Sequence, residues 1–384
     1  MRQSYSMTAA SSTSATPFPG RAALLAWYDQ HRRTLPWRMV AGGALPDPYH
    51  VWLSEVMLQQ TTVATVRQRF PDFLAEFPTL QQLAMAPLDD VLRAWAGLGY
   101  YRRAHQLHAA AQILWHQHGG VWPHQPSLLA KLPGFGAYTA AAVAGIAFEQ
   151  PVLAVDTNVA RVMARLFCLT DLPPALNKSA AQAGAGLVAP HRCGDLVQAV
   201  MELGSLVCRA RQPSCGLCPL RQHCQAYQRG VVDDYPRAAP KLAKPTRYVI
   251  AWWLQDAQGQ SLWQRRPDQG LLAGLWSLPL SPFLEAEPDD GLAASLAPLP
   301  TQPSRLVALV RHSFTHFHLQ LSLYHQPCPF SLTNPSPNSN SNSGGSHHPL
   351  PPAYQQGRWL SPQQLPEIAL PTLMVKVAAR MVAA

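Results

Sequence analysis

Nowhere in the 384 residues is there an apolar run long enough to span a bilayer, so no membrane helix is expected. The first 19 residues are rich in Ser, Thr and Ala and lack the apolar core of a secretory signal. Residues 1–20 are expected to be a disordered tail, with Met7 an alternative start. Lysine is scarce: between residues 21 and 230 only Lys131 and Lys178 occur. No internal repeat is found, and no strand-like alternation appears before residue 248. Acidic residues are also few relative to basic ones, leaving a formal net charge of +9.

The basic excess is uneven. Residues 21–230 hold 18 Lys+Arg against 12 Asp+Glu, whereas residues 231–384 hold 11 against 9. A basic, arginine-rich first half suggests a polyanionic partner, nucleic acid first. The hydrophobic content of 47% and the length suit two domains with real cores. Seven cysteines is an odd number, and four of them crowd into residues 208–224. That clustering argues for a metal centre in a reducing compartment over a disulfide framework.

From 21 to about 230 the pattern is helical, and nine segments carry helix-period apolar residues: 22–31, 49–69, 71–77, 88–95, 102–116, 126–131, 137–148, 158–167 and 196–207. Residues 231–247, with Pro236, Pro240 and Pro245 and few apolar residues, read as a linker. The period then changes. Segments 248–254, 261–264, 305–310 and 317–324 look like strands, 256–259 like a hairpin turn, and 371–382 like a short terminal helix. The Pro/Ser/Asn/Gly tract over 327–352 cannot build a core and is expected to be a disordered insertion. The fold class is therefore an all-α domain followed by an α+β domain.

Four features carry chemistry. Glu55 has Val51, Trp52 and Leu58 as helical neighbours, on an apolar face. Desolvation there favours the protonated acid, which suits a general acid near neutral pH, or else marks a buried Glu paired with a distant Arg. Cys208, Cys215, Cys218 and Cys224 form a C-x6-C-x2-C-x5-C run. Its uneven single-loop spacing favours a [4Fe–4S] cluster over zinc, which usually takes two separated C-x2–4-C pairs. Arg209, Arg211 and Arg221 decorate this loop and could grip phosphate. Leu132-Pro133-Gly134-Phe135-Gly136 is a turn between helices, either a plain connector or one whose N–H groups meet a phosphate. Asp156 precedes a helix, where it can cap the N-terminus and, kept ionised by N–H donors, face a developing cation.

These parts together resemble the helix-hairpin-helix DNA glycosylases with an iron–sulfur loop, the superfamily of endonuclease III, and within it the adenine DNA glycosylases of the MutY family. The resemblance rests on Leu35-Pro36-Trp37-Arg38, the run Trp52 to Thr61, Gly97-Leu98-Gly99-Tyr100-Tyr101, the 132–136 hairpin, Val155-Asp156-Thr157-Asn158-Val159 and the four cysteines. It is dense over 21–230, with the iron–sulfur loop at 208–224, and looser over 248–384, which resembles a Nudix-like module.

The resemblance implies a base-excision enzyme on double-stranded DNA that removes adenine opposite 8-oxoguanine or G after flipping it from the duplex. Glu55 would protonate adenine N7, Asp156 would stabilise the sugar cation, and Tyr138 and Asn158 would support them. Arg33, Trp37, Leu58, Val63 and Gln198 match positions lining the base pocket, though packing or a surface charge explains each as well from sequence alone. Gln60 and Tyr100 match residues that wedge into the base stack. Phe314, Thr315 and His316 match the loop that recognises 8-oxoguanine, with Thr315 where the family has Ser. Thr157 departs from the glycine frequent in the family at that position.

Bifunctional relatives carry a Schiff-base lysine where this chain has Tyr138, so monofunctional hydrolysis is expected; an endonuclease III-like pyrimidine glycosylase/lyase is the alternative. Between 265 and 300 the acids are only Asp268, Glu285, Glu287, Asp289 and Asp290, without the spacing of a working Nudix helix, so the second domain should bind and not hydrolyse. A [4Fe–4S] cofactor, a monomeric state, no membrane partner and a cytoplasmic, nucleoid-associated location in a bacterium complete the expectations.

Overall fold

A computed structural model describes residues 18–38, 45–188, 191–238, 243–267, 270–300, 302–328, 354 and 357–382. Residues 1–17 of the expected N-terminal tail with Met7, most of the 327–352 tract, the middle of the linker and Asp268 lie outside the described residues; residues 18–20, expected to be part of the disordered tail, are ordered, with the Phe18 amide donating to the Gly186 carbonyl at 2.9 Å. Two compact units are found. The first comprises residues 1–71, 79–81 and 109–240, and the second 72–78, 82–108 and 241–384.

The first half of the chain is helical: α1 (Arg21–His31), α2 (Pro48–Met57), α3 (Val63–Glu76), α4 (Leu80–Met85), α5 (Leu88–Ala94), α6 (Arg102–His116), α7 (Pro126–Leu129), α8 (Ala137–Phe148), α9 (Thr157–Phe167), α10 (Ala175–Ala183), α11 (Cys193–Leu206) and α12 (Gln225–Gln228). The boundary between units runs through α3, α4 and α6. Helix α2 starts where Asp47 accepts the Tyr49 amide at 2.7 Å and Pro48 fills the first turn. Residues 49–57 of α2 are buried except His50, so it is a central helix of the first unit.

The apolar period over 49–69 predicts one helix, but the chain makes two. It breaks after Met57, Gln60 takes a left-handed φ of 56°, and the Thr62 hydroxyl accepts the Thr65 amide at 3.3 Å to restart α3. Helix α3 then runs through Pro71, which the sequence reading used as a boundary. Periodicity crosses the break unchanged because both helices turn apolar faces inward; the interruption is local capping chemistry.

Helix α8 is rich in Ala, with Val143 and Ile146, and Ala140, Ala142, Val143 and Ala144 are fully or almost fully buried. These small side chains bring it close to α2 and α11. Helix α11 approaches α9 just as closely. A Cβ on Gly204 would lie 2.8 Å from Asn158 Cβ and 3.0 Å from the Asn158 carbonyl oxygen, so only glycine fits there.

In the second unit the strands are β1 (Thr246–Gln255), β2 (Ser261–Arg265), β3 (Trp276–Ser277), β4 (Arg305–Ser313), β5 (His318–Pro327) and β6 (Arg358–Leu360), with α13 (Asp290–Ser295) and α14 (Thr372–Val382). They form a mixed sheet in the order β3-β2-β1-β5-β4, with β6 paired to β2. Strands β1 and β5 run parallel, Val249 opposite Leu321 and Ala251 opposite Leu323, and β4 is antiparallel to β5. Alternate residues of β1 feed two cores. Val249, Ala251 and Trp253 pack with Leu319, Leu321, Leu323 and the α14 residues Leu373, Met374 and Val377. Ile250, Trp252 and Leu254 pack with Tyr324 and the α13 residue Ala293. The expected 256–259 hairpin is present: Asp256 Oδ1 accepts the amides of Gln258 and Gln260, and Gly259 takes a φ of 77°.

Candidate active site

The middle of α2 sets the site. Glu55 is 6% exposed, and the Tyr138 hydroxyl, one residue into α8, donates to its Oε2 at 2.5 Å. Burial holds the Glu55 carboxyl above its ordinary range; the Tyr138 hydrogen bond and the Arg38 charge pull it down, and the Asp156 charge pushes it up. Burial together with Glu55 also keeps the Tyr138 phenol well above its usual value, so it remains a donor.

Asp156 is the N-cap of α9. Its Oδ1 accepts the Val159 amide at 2.7 Å and its Oδ2 accepts the Asn158 side-chain amide at 2.8 Å. Asn158 is held in turn: its Oδ1 accepts Arg161 Nη2 at 2.9 Å, and Arg161 also donates to the carbonyls of Gly204 and Cys208 at 2.7 and 2.8 Å. The chain thus brings Glu55, Tyr138, Asp156 and Asn158 together from α2, α8 and the start of α9. Thr157, the departure between the last two, is the exposed first residue of α9.

The 132–136 turn packs from beneath. Gly134 takes a φ of 76°, and the Phe135 ring stacks on Trp52 with centroids 5.4 Å apart, while Trp122 meets Trp52 edge-on. This places the open N-terminus of α8, with Tyr138 in its first turn, beside α2. A feature missed in the sequence reading is Gln59, whose amide donates to Thr139 Oγ1 at 3.1 Å.

The expected pocket residues divide. Trp37 is buried with its ring edge-on to Phe70, and Leu58 and Val63 are half-buried at the break between α2 and α3. Arg33 donates through Nε to both oxygens of Glu202 at 3.0 and 2.9 Å, and Arg38 bonds the same carboxylate. Glu202 is fully buried and was not singled out from sequence. The Gln198 amide donates back to the Gly194 carbonyl of its own helix at 3.1 Å. Arg33 and Arg38 thus bond Glu202, while the Arg38 charge also reaches Glu55.

Gln60 and Tyr100 are exposed residues in left-handed backbone, at φ 56° and 49°. Non-glycine residues seldom hold that conformation in a loop without surrounding constraint. Within the second unit, Tyr100 Oη lies 3.0 Å from Thr315 Oγ1. Phe314, Thr315 and His316 form the turn between β4 and β5, with Thr315 and His316 exposed and the Phe314 ring against Phe317 at 4.9 Å.

Cys208, Cys215, Cys218 and Cys224 line one pocket, together with Arg165, Arg221 and Tyr227. Buried Arg165, on α9, donates to Cys208 Sγ at 3.4 Å and to the carbonyls of Arg209, Val232 and Tyr235 at 2.7, 3.0 and 2.9 Å. Burial pushes the Cys218 thiol up to about 12, and the neighbouring cysteines add to the rise. Four thiolates there need positive charge among them, and the donor set fits an iron–sulfur group. Among the described residues no three His, Cys, Asp or Glu side chains are placed to hold a single metal ion.

Residues 53–183 match the HhH-GPD superfamily of base excision DNA repair proteins, and residues 250–380 match the NUDIX domain. The first half is thus a helical DNA-glycosylase domain and the second a Nudix-like domain with a mixed sheet. An adenine DNA glycosylase of Buchnera aphidicola is 32% identical over 262 residues, covering 67% of this chain and 72% of that protein. The human adenine DNA glycosylase is 38% identical over 311 residues, covering 67% of this chain and 57% of that one. The chain belongs to the adenine DNA glycosylase family. It spans 47% of the length of the Arabidopsis thaliana relative and 64% of the Mycobacterium tuberculosis one. A solved thermostable thymine-DNA glycosylase aligns with 54% of this chain and 95% of its own at a TM-score of 0.48 and 26% identity.

Proposed function

We propose that this chain is a monofunctional DNA glycosylase that removes adenine paired with 8-oxoguanine, and less efficiently with G, from duplex DNA. The observation that carries the reading is the buried Glu55 carboxyl, held by Tyr138 and within the field of Asp156. Glu55 gives its proton to N7 of the extruded adenine, so the base leaves neutral as the C1′–N9 bond breaks. Asp156 faces the positive charge left on the sugar. Water then attacks C1′, its proton returns to the Glu55 carboxylate, and the products are free adenine and an abasic site.

Tyr138 has no amine, so it cannot form an imine with the opened sugar. A pyrimidine glycosylase/lyase would need one at that position. Exposed Thr315 and His316, with Phe314 behind them, support recognition of 8-oxoguanine in the partner strand. Cys208, Cys215, Cys218 and Cys224 would hold a [4Fe–4S] cluster, which when bound stiffens their loop. Arg209 and Arg211, exposed beside it, suit contact with DNA phosphates.

The deciding experiment is single-turnover excision on duplexes carrying A opposite 8-oxoguanine, A opposite G, or an oxidised pyrimidine, each with and without borohydride. Adenine release without a trapped covalent adduct is expected. Release of the pyrimidine with efficient trapping would replace this reading by the lyase one.

A further inference from the structure

The short segment that leads into α1 is bonded to several other parts of the first unit. The Phe18 amide donates to the Gly186 carbonyl at 2.9 Å, the Phe18 carbonyl accepts the Arg21 amide at 3.0 Å, and the Arg21 guanidinium donates to the His191 carbonyl. The Phe18 ring stands edge-on to two others: Phe167, the last residue of α9, at 5.9 Å between centroids, and His223 at 5.4 Å. Gly20 is buried against the same neighbours. A Cβ there would meet Leu220 Cδ2 and Phe18 Cε1 at 2.8 Å and His223 Cδ2 at 2.9 Å, so the backbone lies directly on these side chains.

Leu220 and His223 belong to the cysteine loop: Leu220 is 1% exposed, and His223 immediately precedes Cys224. The loop is tied to α9 by Arg165, which donates to the Cys208 sulfur and whose carbonyl accepts from Cys224 Sγ at 3.3 Å. Between Leu220 and Cys224 the backbone bonds are local, from the His223 amide to the Leu220 carbonyl at 3.0 Å and from the Cys224 amide to the Arg221 carbonyl at 3.2 Å. A single tight turn of this kind gains little from its own hydrogen bonds and depends on what packs over it. Phe18 and Gly20 pack over this one, and Phe18 bears on Cys224 through His223 and Leu220.

We propose that Phe18 is a positioning residue for the cysteine loop: with Gly20 it latches the turn Arg221–His223 against the end of α9 and so keeps Cys224 in place for an iron–sulfur group. This rests on the four cysteines holding such a group, as proposed above. A metal centre is lost when one of its ligands swings away, so its retention follows local opening of the segment that carries the ligand, which needs far less than global unfolding. A half-buried ring wedged between two elements raises the free energy of that opening without touching the sulfurs. The last residues of a segment that reads as a tail from its composition thus serve as scaffold for the metal centre.

The test uses the full chain, purified with its cluster, as wild type, Phe18→Ala, Phe18→Leu, Gly20→Ala and a core control, Leu114→Ala, on α6, where the side chain is fully buried. Three readouts are taken: decay of the cluster's visible absorbance under a ferrous chelator well below the unfolding temperature, amide exchange over residues 219–226 by mass spectrometry, and the thermal midpoint. Phe18→Ala should lose its absorbance, and exchange the amides of the turn, about tenfold faster than wild type. Phe18→Leu, which refills part of the space, should recover most of that difference. Gly20→Ala, whose methyl pushes Leu220 and His223 aside, should also speed the loss. Leu114→Ala should lower the thermal midpoint at least as far as Phe18→Ala, with less than about twofold change in the decay. Decay at the wild-type rate in Phe18→Ala overturns the proposal, and so does a Leu114→Ala decay as fast as that of Phe18→Ala. Should Phe18→Ala fail to fold, wild-type decay in Gly20→Ala overturns it alone. A wild type that carries no iron sinks the cluster reading instead, because the exchange over 219–226 still reports whether Phe18 holds the turn.

Discussion

Tyr138 and Glu55, 83 residues apart in sequence, share a hydrogen bond of 2.5 Å in which the phenol donates. The bond favours the ionised acid while burial favours the protonated one, and burial is the larger influence. Tyr138→Phe removes the lesser, opposing influence. Its alkaline limb of excision should therefore shift to higher pH, with a change of up to about tenfold in the plateau rate from lost positioning. A limb that moves to lower pH in a pH–rate series would contradict this balance.

Glu55 should cost stability at neutral pH. The folded chain binds its proton more tightly than the unfolded chain, whose carboxyl titrates near 4.5. The resulting stability is fully present below that value and fades as pH rises through the folded one. Glu55→Gln escapes the loss while still accepting from Tyr138. Thermal unfolding at pH 5, 6.5 and 8 should show the variant gaining on wild type as pH rises, while its excision rate drops by about 10²–10⁴-fold. A difference between the two that stays flat over the same range would mean that Glu55 is already ionised in the fold.

Asp156 depends on Asn158, and Asn158 on the closeness of α11. Gly204→Ala inserts a methyl at 2.8 Å from Asn158 Cβ and 3.0 Å from its carbonyl oxygen, so α9 must shift. The expected result is a loss of about 1–3 kcal/mol in stability and a slower chemical step with duplex affinity retained. Normal excision in this variant, measured in single turnover, would show that the first turn of α9 tolerates displacement.

Tyr100 and Thr315 lie 215 residues apart in sequence with their hydroxyls at 3.0 Å. If the pair acts as one unit in reading the partner base, Tyr100→Phe and Thr315→Val should each reduce the preference for 8-oxoguanine over G. The double variant should lose less than the sum, with a coupling on the order of 0.5–1 kcal/mol in a double-mutant cycle. Strict additivity would separate the two residues.

Much of this was legible in the chain, and the limits have physical causes. The burial of Glu55 follows from its helical neighbours Val51, Trp52 and Leu58, because a local period suffices to place it. The capping position of Asp156 was readable for the same reason. Strands β1 and β5 announced themselves by composition, although their parallel pairing did not. Two-residue β3 and three-residue β6 are too short to show any period and exist because β2 offers them an edge. Glu202 stayed hidden because its partners lie 169 and 164 residues away, and no local pattern distinguishes it from a solvated glutamate on α11. The same holds for the Tyr100–Thr315 pair.

Helix α11 carries Glu202 on one side, presents the bare Gly204 to α9 a half-turn later, and delivers the chain to Cys208 just past its end. A single rod of fourteen residues therefore sets three separations at once. Damage introduced anywhere along it would surface as sluggish chemistry in a protein that still grips its duplex, so a screen that scores only DNA retention would pass such variants as sound.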